Sequence, residues 1–206
     1  MGFIPQVKKA TPGNNEMFCV DSGPLVLSMI GSFDSQINRA CRILENEMKH
    51  KYNLEQGFIL VGISQGGLIA RAVLQECEIG KHVKKIITLG GPHEGVAAFP
   101  HTGKDFFSNI INFFCDRLAY LWIAQTIVGP AGYFHRIDRE DVYFKSHSTI
   151  ARLNNAGENK NEEYNERLAQ LEAFVMIQFS EDTMIIPKET AHFGMYKDGK
   201  KNEIVA

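Results

Sequence analysis

The stretch from Gly57 to Cys77 constrains the fold most, because a strand pattern, a glycine-flanked turn and a helix pattern follow one another directly. Residues 58–61 form an uncharged apolar run typical of a buried strand. After a turn at residues 62–66, apolar residues recur at helical spacing from Leu68 to Val73. The order of strand, G-x-S-x-G turn and helix is the one that a nucleophile elbow requires.

Ser64 is the candidate nucleophile of this turn. A free hydroxyl is a weak nucleophile, so the turn has to hold it exposed and within reach of a base. Gly62 and Gly66 are expected to leave room where side chains would collide. The amide of Gln65 would lie at a helix N-terminus, where the dipole and unpaired N–H groups favour an oxyanion. The alternative interpretation is a plain tight turn, because glycines and serines meet in many loops.

The surrounding pattern predicts an α/β fold with a mostly parallel sheet. Residues 84–89 (KKIITL) form the next predicted strand, so strand, helix and strand make a βαβ unit with parallel pairing. A helix is predicted after Asp34-Ser35, with these two residues as its cap. A polar-faced helix over residues 162–173 precedes a last clear strand at residues 174–179. The length of 206 residues suits one domain, 1–206.

The alternation stops between Gly95 and about Gly157, where a dense apolar and aromatic segment runs from Phe106 to Trp122. We interpret residues 96–157 as a helical, lid-like insertion over the elbow. Ordinary core is the alternative, because an aromatic stripe often simply packs. The apolar stretch is interrupted by Asp116, Arg117 and other polar residues, so no transmembrane segment is expected.

Asp182 follows the last predicted strand, at the end where functional loops gather in open α/β sheets. An acid there can orient a histidine and stabilise its imidazolium form. Asp182 can equally cap a turn. The acid is therefore a second candidate catalytic residue with a structural alternative.

Composition excludes other classes of function. The 22 basic and 24 acidic residues are scattered, which does not suggest a nucleic-acid binder. The four cysteines lack metal-ligand spacing, so no metal is expected, and from spacing alone all four could be buried thiols. The N-terminus lacks a secretory apolar segment. We therefore expect either that the protein is not secreted or that its true N-terminus is missing.

Four separated motifs, GISQGG, ITLGGPHEGV, EDVYFKSHSTIARLNN and FVMIQFSEDTMIIPKETAHFG, resemble the palmitoyl-protein thioesterase family of α/β-hydrolases, with wording closest to its plant members. The similarity runs from about Met17 to Gly194. It implies an α/β-hydrolase fold with helices on both faces of the sheet. It also implies hydrolysis of fatty acyl thioesters on protein cysteines through an acyl-enzyme, without a cofactor, in the lysosome, vacuole or secretory pathway.

Residue by residue, the resemblance assigns the nucleophile to Ser64, an oxyanion-hole amide to Gln65 and the triad acid to Asp182. Cys41 and Cys77 match a family disulfide, which implies an oxidising compartment. The partners implied are S-acylated proteins or peptides and fatty acyl thioesters. The aromatic insertion then becomes an acyl-chain groove, where each buried methylene contributes about 0.8 kcal/mol.

The chain also departs from the family. The family's triad histidine lies well after the acid, whereas only His192 follows Asp182 here, and it matches a family tryptophan. His93 precedes the acid, against the chain order of the fold. We therefore expect both histidines to be structural. Cys115 lacks its family partner and is expected to be a free thiol.

The family's first strand, with its His-Gly turn and second oxyanion donor, has no counterpart. The expectation is a hydrolase domain incomplete at both ends and, by itself, a poor catalyst. Two alternatives stay open: a non-catalytic descendant that binds acyl groups or lipids, and a carboxylester lipase on the same fold.

Overall fold

The computed structural model describes residues 3–11, 13, 16–21, 31–98, 121, 128–135, 137–138, 140–146, 148–158, 160–197 and 200–205. The aromatic segment from Phe106 to Trp122 lies outside these residues except for Leu121, and so does Cys115. The helices within the described residues are α1 (Phe3–Ala10), α2 (Phe33–His50), α3 (Gln65–Glu76), α4 (Glu140–Lys145), α5 (Thr149–Leu153) and α6 (Glu162–Ala169). The strands are β1 (Phe58–Ile63), β2 (Val83–Leu89), β3 (Ala173–Ile177), β4 (Met195–Lys197) and β5 (Lys200–Val205).

The main sheet has the order β1-β2-β3, and both pairings are parallel. Its register places Gly62 beside Thr88 and Thr88 beside Met176, so the carboxyl ends of all three strands lie at one edge. β4 and β5 form a separate antiparallel pair. The predicted α/β fold class is confirmed, and Ser64 directly follows β1 at this carboxyl edge.

Helix α3 is the centre of the core. Leu68 and Ala72 pack in a cluster with Phe33 and Ile37 of α2, whereas Leu74 packs against Ile86 of β2 on another side. All six of these apolar residues are at most 2% exposed. A helix that contacts neighbours on most of its circumference has little freedom to move. Gln65, the first residue of α3, therefore has a fixed position next to Ser64.

Among the elements that the structure describes, the helices that contact the sheet share one face of it. Leu60, Ile86 and Phe174 occupy neighbouring positions on that face and pack with residues of α3 and α6. The opposite face carries Ile59, Val61, Ile63, Val175 and Ile177, which are 41–52% exposed. Parallel sheets normally have both faces covered, so this apolar face is unusually open.

The N-cap of helix α2 lies two residues before Asp34, the first residue of the predicted cap. Ser32 is the N-cap, and its hydroxyl oxygen accepts a hydrogen bond from the amide of Ser35 at 3.0 Å. Asp34 does not cap the helix, because its carboxylate accepts hydrogen bonds from Thr149 at 2.6 Å and Arg152 at 2.7 Å. The predicted Asp34-Ser35 cap was therefore wrong, and Asp34 instead ties α2 to α5.

The first residue of the predicted insertion contacts a residue in its interior. Val96 and Phe134 form an isolated parallel bridge, in which the amide of Val96 donates to the carbonyl of Tyr133 at 3.0 Å. The greater part of the intervening chain, 99–120 and 122–127, lies outside the described residues. None of the described helices has the length and apolar character needed to cross a bilayer.

Candidate active site

Ser64 occupies a strained turn between the last residue of β1, Ile63, and the first residue of α3, Gln65. Its φ is 52° and its ψ is −125°, a conformation that costs a non-glycine residue about 1–3 kcal/mol. The amide of Ser64 donates to the carbonyl of Leu89 at 2.8 Å, which fixes the turn to β2. The side chain is exposed at the carboxyl edge of the sheet. This is the geometry that the nucleophile-elbow pattern predicts.

The two glycines of the turn do different things. A Cβ on Gly62 would lie 2.3 Å from the carbonyl oxygen of Gly66, so no side chain fits there. A Cβ on Gly66 would meet nothing within 4 Å. The prediction that both glycines prevent collisions holds for Gly62 and is wrong for Gly66, because Gly66 faces open space from the first turn of α3.

Gln65 supplies the first amide of α3, a helix of 12 residues. Amides in the first turn of a helix have no acceptor within the helix, and the helix dipole adds partial positive charge there. This N–H therefore adjoins Ser64 at the end of the helix that favours an anion. The arrangement can stabilise negative charge that develops on a substrate attacked by Ser64.

Ser64, Gly90 and Asp182 line one cavity of about 370 Å³. Its remaining lining residues are Phe179, Glu181, Thr183, Met184 and Ile185. Phe179 and Met184 are large apolar side chains with 45% and 62% exposure. The cavity thus places the two sequence-predicted side chains, Ser64 and Asp182, beside an apolar rim.

Asp182 also holds its own loop. Its Oδ1 accepts hydrogen bonds from the amides of Met184 at 2.8 Å and Ile185 at 3.1 Å. The other oxygen, Oδ2, faces Gly90, at 3.5 Å from where a Cβ of that residue would stand. The turn-capping interpretation and the cavity position are therefore compatible, since each uses a different carboxylate oxygen.

His93 is buried away from the cavity. It is 0% exposed, its Nε2 is 2.9 Å from the hydroxyl of Thr88, and its ring stacks on Phe193. Burial, with help from the nearby charge of Arg71, lowers the pKa of His93 to about 2. A neutral, enclosed ring of this kind suits a structural role.

His192 is exposed, and its Nε2 lies 3.1 Å from the carbonyl oxygen of Met176. It does not line the cavity with Ser64, and within the described part of the chain neither does any other histidine. The structure therefore brings Ser64 and Asp182 together without a described histidine beside them.

Two residues that sequence reasoning missed contact Gln65. The side-chain amide of Gln65 donates to Gln36 Oε1 at 2.8 Å, and the hydroxyl of Tyr133 approaches Gln65 Oε1 at 3.5 Å. They lie 29 and 68 positions away in the chain. No local pattern connects residues so far apart, so a single sequence offers no signal for this contact.

The Cys41–Cys77 bond implied by the resemblance is present, with a Cα–Cα distance of 5.8 Å. It joins α2 to the residue that ends α3. The reading of these two cysteines as buried thiols was therefore wrong. Cys19 is exposed and unbonded. Across the described ranges, no group of three or more potential metal ligands occurs.

The comparisons with known proteins agree on one family. A family model described as palmitoyl protein thioesterase matches residues 3–206. Palmitoyl-protein thioesterase 1 of Caenorhabditis elegans is 33% identical over 160 residues, which cover 77% of this chain and 53% of that protein. Palmitoyl-protein thioesterase 3 of Dictyostelium discoideum is 32% identical over 178 residues, covering 86% and 58%.

The Lysosomal thioesterase PPT2 homolog of Drosophila melanogaster is 32% identical over 148 residues, covering 69% of this chain and 49% of that protein. The chain thus spans about half the length of the curated relatives that it matches. The family match itself extends over almost every residue of the chain. By that match and by its serine turn, the chain belongs to the palmitoyl protein thioesterase family.

Proposed function

We propose that this chain carries the nucleophile and acid of a serine hydrolase that cleaves long-chain fatty acyl thioesters from protein cysteines. One observation carries the proposal: Ser64, strained and exposed before the N-terminus of α3, shares an apolar-rimmed cavity with Asp182. Family membership supports the reaction class, since relatives are named palmitoyl-protein thioesterases.

The proposed reaction has two displacements. Ser64 Oγ bonds to the thioester carbonyl carbon, the developing oxyanion accepts from the Gln65 amide, and the carbon–sulfur bond then breaks. The serine proton leaves through a base and ends on the departing cysteine sulfur. A water molecule then attacks the carbonyl carbon of the acyl-enzyme, and the bond between that carbon and Ser64 Oγ breaks. One proton of the water passes through the base to Oγ, which gives the free fatty acid and the restored serine.

The acyl chain would bind along the apolar rim of the cavity. Phe179, Met184 and Ile185 present apolar surface next to Ser64. Burying methylene groups contributes about 0.8 kcal/mol each, so a long chain gains much more than a short one. We propose S-acylated proteins or peptides as substrates on this basis, with the aromatic insertion extending the groove.

Catalysis by the chain alone is proposed to be weak. No histidine among the described residues lines the cavity, whereas serine attack needs a base to take its proton. Loss of one member of a catalytic triad typically lowers turnover by several orders of magnitude, although the oxyanion donor and substrate binding leave some rate.

We propose an oxidising compartment, lysosomal or elsewhere in the secretory pathway. The Cys41–Cys77 bond supports this proposal because disulfides persist in such compartments. Two relatives, from Drosophila melanogaster and Bos taurus, are named lysosomal thioesterases. Free Cys41 and Cys77 thiols in protein exported from the cell would contradict it.

The test of the nucleophile is labelling of the purified chain with a fluorophosphonate that carries a long alkyl chain. Labelling should depend on Ser64 and disappear in Ser64→Ala. Ser180→Ala is the matched control, because Ser180 is exposed near the acid but does not line the cavity. Labelling that survives Ser64→Ala, or none from a folded wild type, would contradict an activated Ser64.

A second candidate function is binding of acyl groups without turnover, which the lack of a cavity histidine among the described residues favours. Titration of Ser64→Ala with a palmitoyl thioether peptide, which cannot be hydrolysed, measures binding separately from chemistry. Tight binding by a chain that shows no labelling would favour this function. A faster rate on a matched oxygen ester than on the thioester would instead favour a carboxylester lipase.

A further inference from the structure

The side chain of Gln65 is held from two directions. Its Nε2 donates to Gln36 Oε1 of α2 at 2.8 Å. The hydroxyl of Tyr133, at the end of a 3₁₀ turn over Gly129–Tyr133, approaches its Oε1 at 3.5 Å. The residue after the proposed nucleophile is thus connected to two elements that are distant in sequence.

Both contacting residues are embedded in the core. Gln36 and Tyr133 are 4% and 6% exposed. The Tyr133 ring meets Phe33 edge-on, with centroids 5.2 Å apart, and a Cβ on Gly132 would lie 2.7 Å from the Phe33 Cβ. The 3₁₀ turn and α2 therefore approach too closely to move independently, and Gln65 is held by a rigid pair.

Restraint of the Gln65 side chain also restrains the Gln65 backbone. Gln65 is the first residue of α3, so its N–H direction follows from the torsion angles at the strained junction with Ser64. A strained backbone persists only where the surroundings hold it in place. An oxyanion donor has to be aimed before the reaction starts, because its benefit depends on a fixed dipole.

We propose that Gln36 and Tyr133 are positioning residues that hold the Gln65 side chain and thereby aim the Gln65 N–H at the oxyanion. The inference rests on the proposed function, since it assigns these residues to the acylation of Ser64. Neither residue lines the cavity, so the proposed route of action is the contact that each makes with Gln65.

The first test measures the rate constant and the affinity constant of Ser64 labelling by the fluorophosphonate separately. Gln36→Met removes the acceptor at similar size, and we expect the rate constant to fall about tenfold with unchanged affinity, since misplacement of about 1 Å can cost 100-fold. Gln36→Glu keeps an acceptor oxygen and should restore most of the rate. Tyr133→Phe should have a smaller effect, because its contact with Gln65 is longer.

Gln75→Met is the matched control. Gln75 is also a buried glutamine, 2% exposed, whose Nε2 donates to the carbonyl of Leu153 at 3.0 Å. Its replacement should lower stability without slowing the labelling rate. Equal slowing by Gln36→Met and Gln75→Met would overturn the positioning role.

A double-mutant cycle tests whether Gln36 acts through Gln65. In a Gln65→Met background, Gln36→Met should have no further effect on the labelling rate. A full tenfold loss in that background would mean that Gln36 acts by another route, and the proposal would fail.

A second measurement separates this proposal from the proposed function. In the ¹⁵N NMR spectrum, the backbone amide resonance of Gln65 should shift in Gln36→Met and stay in place in Gln75→Met. An unchanged Gln65 amide in Gln36→Met would overturn the positioning role, whether or not Ser64 is labelled. A shifted amide in a chain that shows no Ser64 labelling would support positioning while contradicting activation of the serine.

Discussion

The amide of Ser64 donates a hydrogen bond to the carbonyl oxygen of Leu89 at 2.8 Å, so the proposed nucleophile is tied to the strand beside its own. Leu89 is the last residue of β2, and Gly90 follows it in the wall of the cavity. The amide of Gly90 in turn donates to the carbonyl of Ile177 at the end of β3. One run of backbone bonds therefore links Ser64 to the strand that precedes Asp182.

Gly62→Ala should destabilise the elbow much more than Gly66→Ala. The new Cβ at position 62 would lie 2.3 Å from the carbonyl oxygen of Gly66, within backbone that cannot move aside easily. Overpacking of this kind costs about 1–3 kcal/mol or more. At position 66 the methyl group meets open space, and alanine gains about 1 kcal/mol of helix propensity over glycine.

Urea unfolding of both variants measures the difference, and fluorophosphonate labelling reports on the turn itself. Gly66→Ala serves as the control for adding a methyl group to the same motif. Equal free energies of unfolding for the two variants would show that the close approach at Gly62 is not a constraint.

Asp182→Asn should keep the turn from Asp182 to Ile185 intact, whereas Asp182→Ala should loosen it. The asparagine side-chain oxygen can still accept from the amides of Met184 and Ile185, which alanine cannot do. We expect a loss of about 1 kcal/mol for alanine only. Hydrogen exchange at these two amides should accelerate in the alanine variant. Equally fast hydrogen exchange in the Asp182→Asn variant would mean that the turn depends on the negative charge of Asp182.

Reduction of the Cys41–Cys77 bond should lower the free energy of unfolding by about 3–4 kcal/mol. The bond closes a loop with a sequence separation of 36, and loop closure restricts the unfolded chain. Guanidinium unfolding with and without dithiothreitol measures the effect. The double variant Cys41→Ser, Cys77→Ser should not respond to the reductant, whereas Cys19→Ser should respond as the wild type does. A wild type that is insensitive to dithiothreitol would contradict the prediction.

Local patterns predicted the local parts of the fold well. The elbow at Ser64 and the strands on both sides of α3 depend on neighbouring residues, and the parallel pairing follows from the short βαβ spacing. The N-cap of α2 was misplaced because Asp34 is engaged by Arg152, which is 118 positions away. Position 66 was misjudged because a motif does not reveal which glycine faces open space.

Long-range contacts limit how much of the candidate site can be predicted from the sequence. In the sequence, Gln36 and Gln65 cannot be told from glutamines that are exposed to solvent. Only the folded chain shows that they share a hydrogen bond and that Gln36 is buried. The protonation of His93 likewise depends on residues from several elements. Sequence indicates which side chains can do chemistry, whereas the surroundings that tune them come from packing.

His93 and Glu94 are adjacent, and their burial changes stability with pH in opposite directions. Burial raises the pKa of Glu94 to about 7, although the charge of Arg71 opposes the shift. The folded state then binds more protons than the unfolded state, so this contribution falls as pH rises from about 4.5 towards 7. Burial of His93 acts the other way, because the unfolded chain takes up a proton that the folded chain excludes.

His93→Gln should make the protein less sensitive to acid. With a pKa of about 2 in the folded state against 6.5 in the unfolded chain, His93 costs stability progressively as pH falls below 6.5. Between pH 7 and pH 5 the wild type should lose about 2 kcal/mol more than the variant. Urea unfolding at both pH values gives this double difference, in which the contribution of Glu94 is common to both proteins and cancels. Equal losses in the two proteins would mean that His93 is accessible to protons in the folded state, and its burial against Thr88 and Phe193 would then fail to explain its role.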